Sequence, residues 1–453
     1  MIALATFACR MIAALLLVGA AAAQTDVTRT GKTFAVTLHP GKLPETVAGR
    51  LADEALAAAE RVRPALDRLT LRPPKKPVIH VYADERPFRA LAAETTKLAF
   101  PVEGFVQVAA GCAHVLLWPC LEAGDYALVG LPPDTEYQVM LQAVQFAVFQ
   151  RHAWVKSDPW RADVVAHGIV DEILNPDTAT GVDPMFDNRR YWYAVQFAKG
   201  MAPKLRDELE LTDAPADRGS FDARTEAMGL VAQTLAAAGS GAVGRLLLMP
   251  DEKLPCIAAQ RAAAVESILG GDWKRIEERF TKILSSLRPR WEVSSPAVAW
   301  RAGRLLFVGP AGTESGATLT AIEPPPSGAY AIRATCELVP GRTKELRVQL
   351  DWDESSLLAC FVQDEEFWVA RWDNGGTTWE KLLVAKSPVV AGRPFALSIE
   401  VDAKLRVVVD DKQVLEFDYG QRTMRGRWSI AKNLGPVWLT DLRCEPLAPP
   451  QQK

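Results

Sequence analysis

The 453-residue chain lacks an excess of either charge: 52 Lys and Arg stand against 55 Asp and Glu, a formal net charge of −3. So even a balance implies no polyanion partner, and no nucleic acid in particular. Beyond the first 23 residues the chain also lacks any apolar run near the roughly 20 residues that cross a bilayer, so no transmembrane helix is expected. No Cys-x-x-Cys and no Cys/His cluster in sequence argues for structural zinc. Gly-x-Ser-x-Gly is absent, and neither "GSGAVG" (Gly239 to Gly244) nor "GGDW" (Gly270 to Trp273) follows a strand, which leaves serine hydrolysis and phosphate cradling without a motif. None of the five histidines, His39, His80, His114, His152 and His167, precedes a Glu, so His-Glu-x-x-His is missing too.

What is present is a folded composition, 49% hydrophobic and 24% charged, at a length that suggests more than one core. The run "MIAALLLVGAAAA" (Met11 to Ala23) follows a lone Arg10 and ends in small residues. It reads as a secretory signal, residues 1–23, cut near Ala23, with an uncleaved anchor as the alternative. The expected location is periplasmic or extracellular, and loss of Arg10 moves the formal charge from −3 to −4. Six cysteines remain: Cys112, Cys120, Cys256, Cys336, Cys360 and Cys444. Cys112 and Cys120 flank "AHVLLWP" at a spacing a loop could close, and buried free thiols are the equal alternative.

Two regions of different texture follow. From Phe34 the pattern runs strand ("FAVTLHP"), helix ("ETVAGRLADEALAAAERVRPALDRL"), strand ("KPVIHVYAD") and helix ("RPFRALAAET"). A hairpin, "GFVQVAAGCAHVLLWP", turns near Gly111, and helices continue to Leu284. This is an α+β region, a small sheet and then a helical lobe, over residues 24–287. Twelve short alternating stretches occupy 288–446, from "RLLFV" to "VWLTDLRC", separated by Gly, Pro, Asp and Asn. They predict an all-β sandwich, with 447–453 as a polar tail.

The helix "VMLQAVQFAVFQ" (Val139 to Gln150), the loop that follows it and "SDPWRADVVAHGIVDEIL" (Ser157 to Leu174) give the first region a resemblance to the gluzincin-like peptidase MA families. The resemblance covers about residues 32–286. In those families two His residues four apart grip zinc, an intervening Glu activates water, and a Glu on the next helix completes the ligands. The best register places Leu141 and Gln145 at the His positions, Gln142 at the Glu, and His167-Gly168 at the later Glu-Gly. Moving the register to put Glu136 at the base leaves Thr135 and Val139 as ligands. Neither set holds a metal, so no cofactor and no catalytic residue is expected. Gln138, Gln142 and Gln145 share one helix face, either as amides satisfying one another in a dry cleft or as the wet side of an amphipathic helix. His167 is expected to pair with Asp171 or to cap the Trp160 loop.

The second region resembles the concanavalin-like and laminin-G-like jelly rolls, including the family described as 3-keto-disaccharide hydrolase. "LACFVQDEEFWVARWDN" and "GRWSIAKNLGPVWLTDLRCEPL" carry the resemblance. Eight of the 13 tryptophans lie here. Trp372 and Trp379, flanking "DNGGTT", are the expected stacking platform for a sugar ring. The acidic groups "DWDE" (Asp351 to Glu354) and "DEE" (Asp364 to Glu366) read as solvated hairpin ends, with calcium binding as the alternative. The functional expectation is an exported, non-catalytic pseudopeptidase whose sandwich takes a glycan or an extracellular protein. The alternative is a hydrolase: a metallopeptidase with atypical ligands around His167, or a glycan-active jelly roll.

Overall fold

The structure, a computed structural model, describes residues 25–96, 102–118, 121–151 and 159–174, parts of 195–287, and most of 290–447. Residues 1–24, with the apolar run, lie outside the described residues.

The first region is built on a five-stranded sheet in the order β1-β2-β3-β5-β4. Its strands are β1 (Val27–Thr30), β2 (Ala35–His39), β3 (Val78–Tyr82), β4 (Gly104–Gln107) and β5 (Cys112–Leu116). β2, β3 and β5 run parallel, with β1 and β4 antiparallel at the edges. Parallel neighbours need a long crossover, which α1 (Glu45–Arg61) and α2 (Arg63–Arg68) supply between β2 and β3. α1 buries Ala48, Leu51, Ala52, Ala55, Ala58 and Ala59, a stripe at helical spacing, and Pro64 opens α2 after the break at Val62. β4 and β5 form the expected hairpin, whose turn ends on Gly111 at φ 74°.

α4 (Ala123–Val129), α5 (Pro133–Arg151) and α6 (Pro159–Leu174) follow. α1, α5 and α6 share one apolar core with Ile79, Val81, Ala113 and Val115 of the sheet. On the opposite face α3 (Glu85–Thr96) sets Phe88 and Ala92 against Phe105 and Leu116. α5 buries twelve side chains distributed round its whole circumference, so it is a central helix rather than an amphipathic one. The lobe continues in α7 (Ser240–Leu248), which begins inside "GSGAVG", and α8 (Trp273–Leu287). Asp272 Oδ1 accepts from Arg275 N at 2.9 Å at the start of α8, an ordinary N-cap.

The second region holds two seven-stranded antiparallel sheets. One runs β17 (Lys412–Phe417), β16 (Leu405–Val409), β15 (Phe395–Val401), β10 (Tyr330–Leu338), β19 (Val437–Pro446), β8 (Arg304–Phe307), β7 (Val298–Arg301). The other runs β14 (Glu380–Lys386), β13 (Glu366–Asp373), β12 (Ser356–Val362), β11 (Leu346–Trp352), β18 (Arg427–Lys432), β9 (Ala317–Ala321), β6 (Trp291–Val293). Alternate side chains of both, such as Ile332, Leu397 and Val407 from one and Val348, Cys360 and Val369 from the other, meet in a single core, which makes the pair a β-sandwich. Each of the twelve stretches named from the sequence is a strand, and β6 and β7 are added before them.

Candidate functional site

α5 and α6 lie against each other, and the polar groups between them pair differently from the expected register. The Tyr137 hydroxyl, a turn before Leu141, hydrogen-bonds His167 Nδ1 at 2.5 Å, with His167 only 3% exposed. Gln145 Nε2 donates to Asp163 Oδ1 at 2.8 Å. His167 therefore faces Tyr137; the side chains of Trp160 and Asp171, its expected partners, lie outside the described residues. Leu141 and Gln142 are in the core, at 5% and 3% exposure, so the wet-face alternative is corrected for Gln142. The amide ladder forms only in part. Gln142 Nε2 donates to Gln138 Oε1 at 3.4 Å, a weak bond, and Gln142 Oε1 is buried without a partner among the described residues. Tyr137 and Asp163 were not singled out in the sequence, because only the helix-to-helix register brings them in. Among the described residues no three His, Cys, Asp or Glu side chains converge as a metal-holding group.

The other face of the sheet carries chemistry that motif spacing along the chain did not reveal. Strand alternation puts His39, His80, Tyr82, Cys112, His114 and Gln107 on the side away from α5. His39 and His80 stack at 5.2 Å, and His80 and His114 at 5.1 Å. His39 Nε2 hydrogen-bonds His80 Nδ1 at 3.0 Å, and His39 Nδ1 meets Asp26 Oδ1 at 3.0 Å. His114 Nδ1 meets the Tyr82 hydroxyl at 3.1 Å, while its Nε2 faces Gln107 Oε1 at 3.1 Å and Cys112 Sγ at 3.3 Å. Burial, reinforced by His80 and His39, pulls the His114 imidazole down to about 4, and His80 is lowered by burial first and then by His39. Burial, with Cys112 and Asp26, pushes the Tyr82 phenol up to about 12, and burial also raises the Cys112 thiol. Burial thus disfavours the charged form of His80, His114, Tyr82 and Cys112 alike. Cys112 is a free thiol, the second of the two readings left open for it; Cys120 and Cys256 lie outside the described residues. Cys336, Cys360 and Cys444 are free as well, the first two buried in the sandwich.

On the sandwich, Trp379 is half-buried and already engaged. The Arg347 guanidinium lies 4.8 Å from its ring centre and 4.7 Å from that of Phe361, and Trp379 meets Phe361 edge-on at 5.1 Å. Phe361 stacks on Trp368 at 3.5 Å, and Lys381 Nζ sits 4.5 Å from the Trp368 ring centre. Trp372 pairs across the sheet with Leu357 and is half-buried; residues 374–378 of the intervening turn lie outside the described residues. Arg347 Nε and Trp368 Nε1 are buried donors without a partner among the described residues. Of the acidic groups, Asp364 and Glu365 are exposed at the β12–β13 turn and Glu366 pairs with Lys381, whereas 353–355 lie outside the described residues.

The outer face of the other sheet holds a cleft of about 280 Å³ over β10, β15, β16 and β19, walled by Arg333, Ser398, Glu400, Asp411, Asp441 and Arg443. Glu445 draws both arginines together: Arg333 Nε lies 3.2 Å from Glu445 Oε1, and Arg443 Nε donates to Glu445 Oε2 at 3.1 Å. Asp441 sits at the irregularity between β10 and β19 with φ 54°, backbone that costs a non-glycine residue about 1 kcal/mol. Ser398 Oγ is buried and has no hydrogen-bond partner among the described residues. Sequence reading passed over this cleft because its residues are scattered over four strands and none belongs to a motif.

No family model and no curated protein matches the chain. Solved structures do match it. The carbohydrate binding module CBM66 from Bacillus subtilis aligns at 10% identity and TM-score 0.29, over 34% of this chain and 94% of that one. A Bacillus subtilis protein of unknown function with a galectin-like fold aligns at 10% identity and TM-score 0.28, over 34% and 88%. The Ca2+/Man-bound exoplasmic/lumenal domain of VIP36 aligns at 9% identity and TM-score 0.27, over 37% and 93%. At such scores these names describe those proteins, and no ligand or residue passes from them to this chain.

Proposed function

We propose that the chain is an exported protein whose β-sandwich, residues 288–446, binds carbohydrate in the cleft over β10, β15, β16 and β19. The observation that carries the reading is the Ser398 hydroxyl, buried in the wall of a cleft lined by arginines and carboxylates and without a partner among the described residues. A buried polar atom left unpaired costs about 1–3 kcal/mol, so a ligand that supplies its partner recovers that cost on binding. Sugars present adjacent hydroxyls that both donate and accept, which suits a wall mixing guanidinium donors with carboxylate acceptors. The volume, about 280 Å³, lies just under the range of ordinary small-molecule sites and suits one ring of a longer chain. Export is supported by the apolar run Met11 to Ala23.

The alternative docking place on the same module is the aromatic face, where Trp372 and Trp379 flank a turn and the Arg347 guanidinium packs on Trp379, its Nε without a partner among the described residues. For residues 24–287 the reading is a gluzincin-like frame without its zinc chemistry. Its support is the sequence resemblance together with Leu141 and Gln142 at the ligand and base positions. A glycan array probed with the intact protein tests the proposal. Retention of a defined glycan class is expected, and a blank array would sink it.

A further inference from the structure

We propose that Cys112, His114 and Gln107, on the α3 side of the five-stranded sheet, form a binding site for a divalent cation of the zinc class. Two residues apart on β5, Cys112 and His114 project to the same face, and Gln107 of β4 stands directly opposite Cys112 in the hairpin. Their donor atoms converge. Cys112 Sγ lies 3.3 Å from His114 Nε2, His114 Nε2 lies 3.1 Å from Gln107 Oε1, and Gln107 Oε1 lies 3.7 Å from Cys112 Sγ. Zinc bonds of about 2.3 Å to sulfur and about 2.0–2.1 Å to nitrogen or oxygen, arranged tetrahedrally, put such donors roughly 3.4–3.6 Å apart. The three separations need to change by only a few tenths of an ångström.

Each donor is also aimed from behind. The Tyr82 hydroxyl holds His114 Nδ1, and Thr95 Oγ1 takes the Gln107 Nε2 donor at 2.8 Å, which turns the amide oxygen toward the thiol and imidazole. Outer contacts of this kind orient metal ligands. Without a cation the three atoms share the thiol and imidazole protons in hydrogen bonds, and each also carries a lone pair that one metal ion could take. Cys112 and His114 are 8% and 4% exposed, and half-buried Gln107 gives the site its solvent side, where water takes the fourth position. On binding, the thiol S–H bond breaks, its proton leaves to solvent and a sulfur–metal bond forms, with no change of oxidation state. The set is two strong ligands plus an amide oxygen, on the opposite face of the sheet from α5.

Cobalt(II) titration of the intact, reduced protein tests the site. A thiolate-to-cobalt charge-transfer band saturating at one equivalent and reversed by zinc is expected, and Cys112→Ser should abolish it. Absence of the band in the wild type, or its survival in a folded Cys112→Ser, overturns the proposal. If circular dichroism shows Cys112→Ser unfolded, Gln107→Ala decides: an affinity about ten-fold weaker supports the site, and an unchanged affinity overturns it.

Discussion

Gln142 shows what an uncharged amide costs at a buried position. Its amide is only 3% exposed, with a weak bond to Gln138 on one side and, on the other, an oxygen without a partner among the described residues. A carboxylate there would have to be desolvated, at several kcal/mol. Gln142→Glu is therefore expected to destabilise the protein by about 3 kcal/mol or more at neutral pH, and Gln142→Met to be neutral or stabilising by up to about 1 kcal/mol. Urea unfolding of both variants checks this, and a well-tolerated Glu would contradict it. The neighbouring Tyr137→Phe removes one hydrogen bond to His167 and should cost about 1 kcal/mol by the same measurement. At this scale the sequence showed Val139 to Gln150 as a helix, but it could not show that Tyr137 and Asp163 complete its polar contacts with α6. Those contacts depend on how α6 slides along α5, which no spacing within either helix reports. Cys112 and His114 were likewise visible only as separate residues, since Gln107 reaches them through strand pairing.

Among the elements, strands were readable where one face is buried, because alternation of period two survives in stretches such as "FALSIEV" and "LRVVV". β1, "VTRT", is a polar edge strand with no fully buried residue, and it left no such trace. α5 left two readings open. Its glutamines could have lined a dry cleft or a wet face, and β4 presses on that face through Gly104. A Cβ there would lie 3.0 Å from Gln142 Nε2 and 3.1 Å from Gln138 Oε1. Gly104→Val should overpack this contact and lower stability by about 1–3 kcal/mol, whereas the same substitution would be mild if the glutamines could swing out to solvent. Thermal melts of Gly104→Val, alone and combined with Gln142→Ala, distinguish these outcomes: rescue by the second change is expected.

At the scale of the whole molecule, the two regions share material. In β8, Leu305 and Phe307 enter the sandwich core while Leu306 belongs to the core of the first region, and Trp438 of β19 packs on that same core beneath the Arg304 guanidinium at 4.6 Å. Lys199 pairs with Glu292 across the same junction. Trp438→Ala should uncouple unfolding in calorimetry, splitting one transition into two and lowering the first by about 2 kcal/mol; an unchanged profile would mean that the regions are independent. Carbohydrate binding by the sandwich is the claim on which the functional account rests, and variant titration tests it most directly. Isothermal titration of the intact protein with its best array glycan should show Ser398→Ala and Glu400→Gln each binding about ten-fold more weakly, or about 1.4 kcal/mol, with Trp379→Ala close to wild type. Wild-type affinity in both cleft variants, with loss of binding in Trp379→Ala, would contradict it.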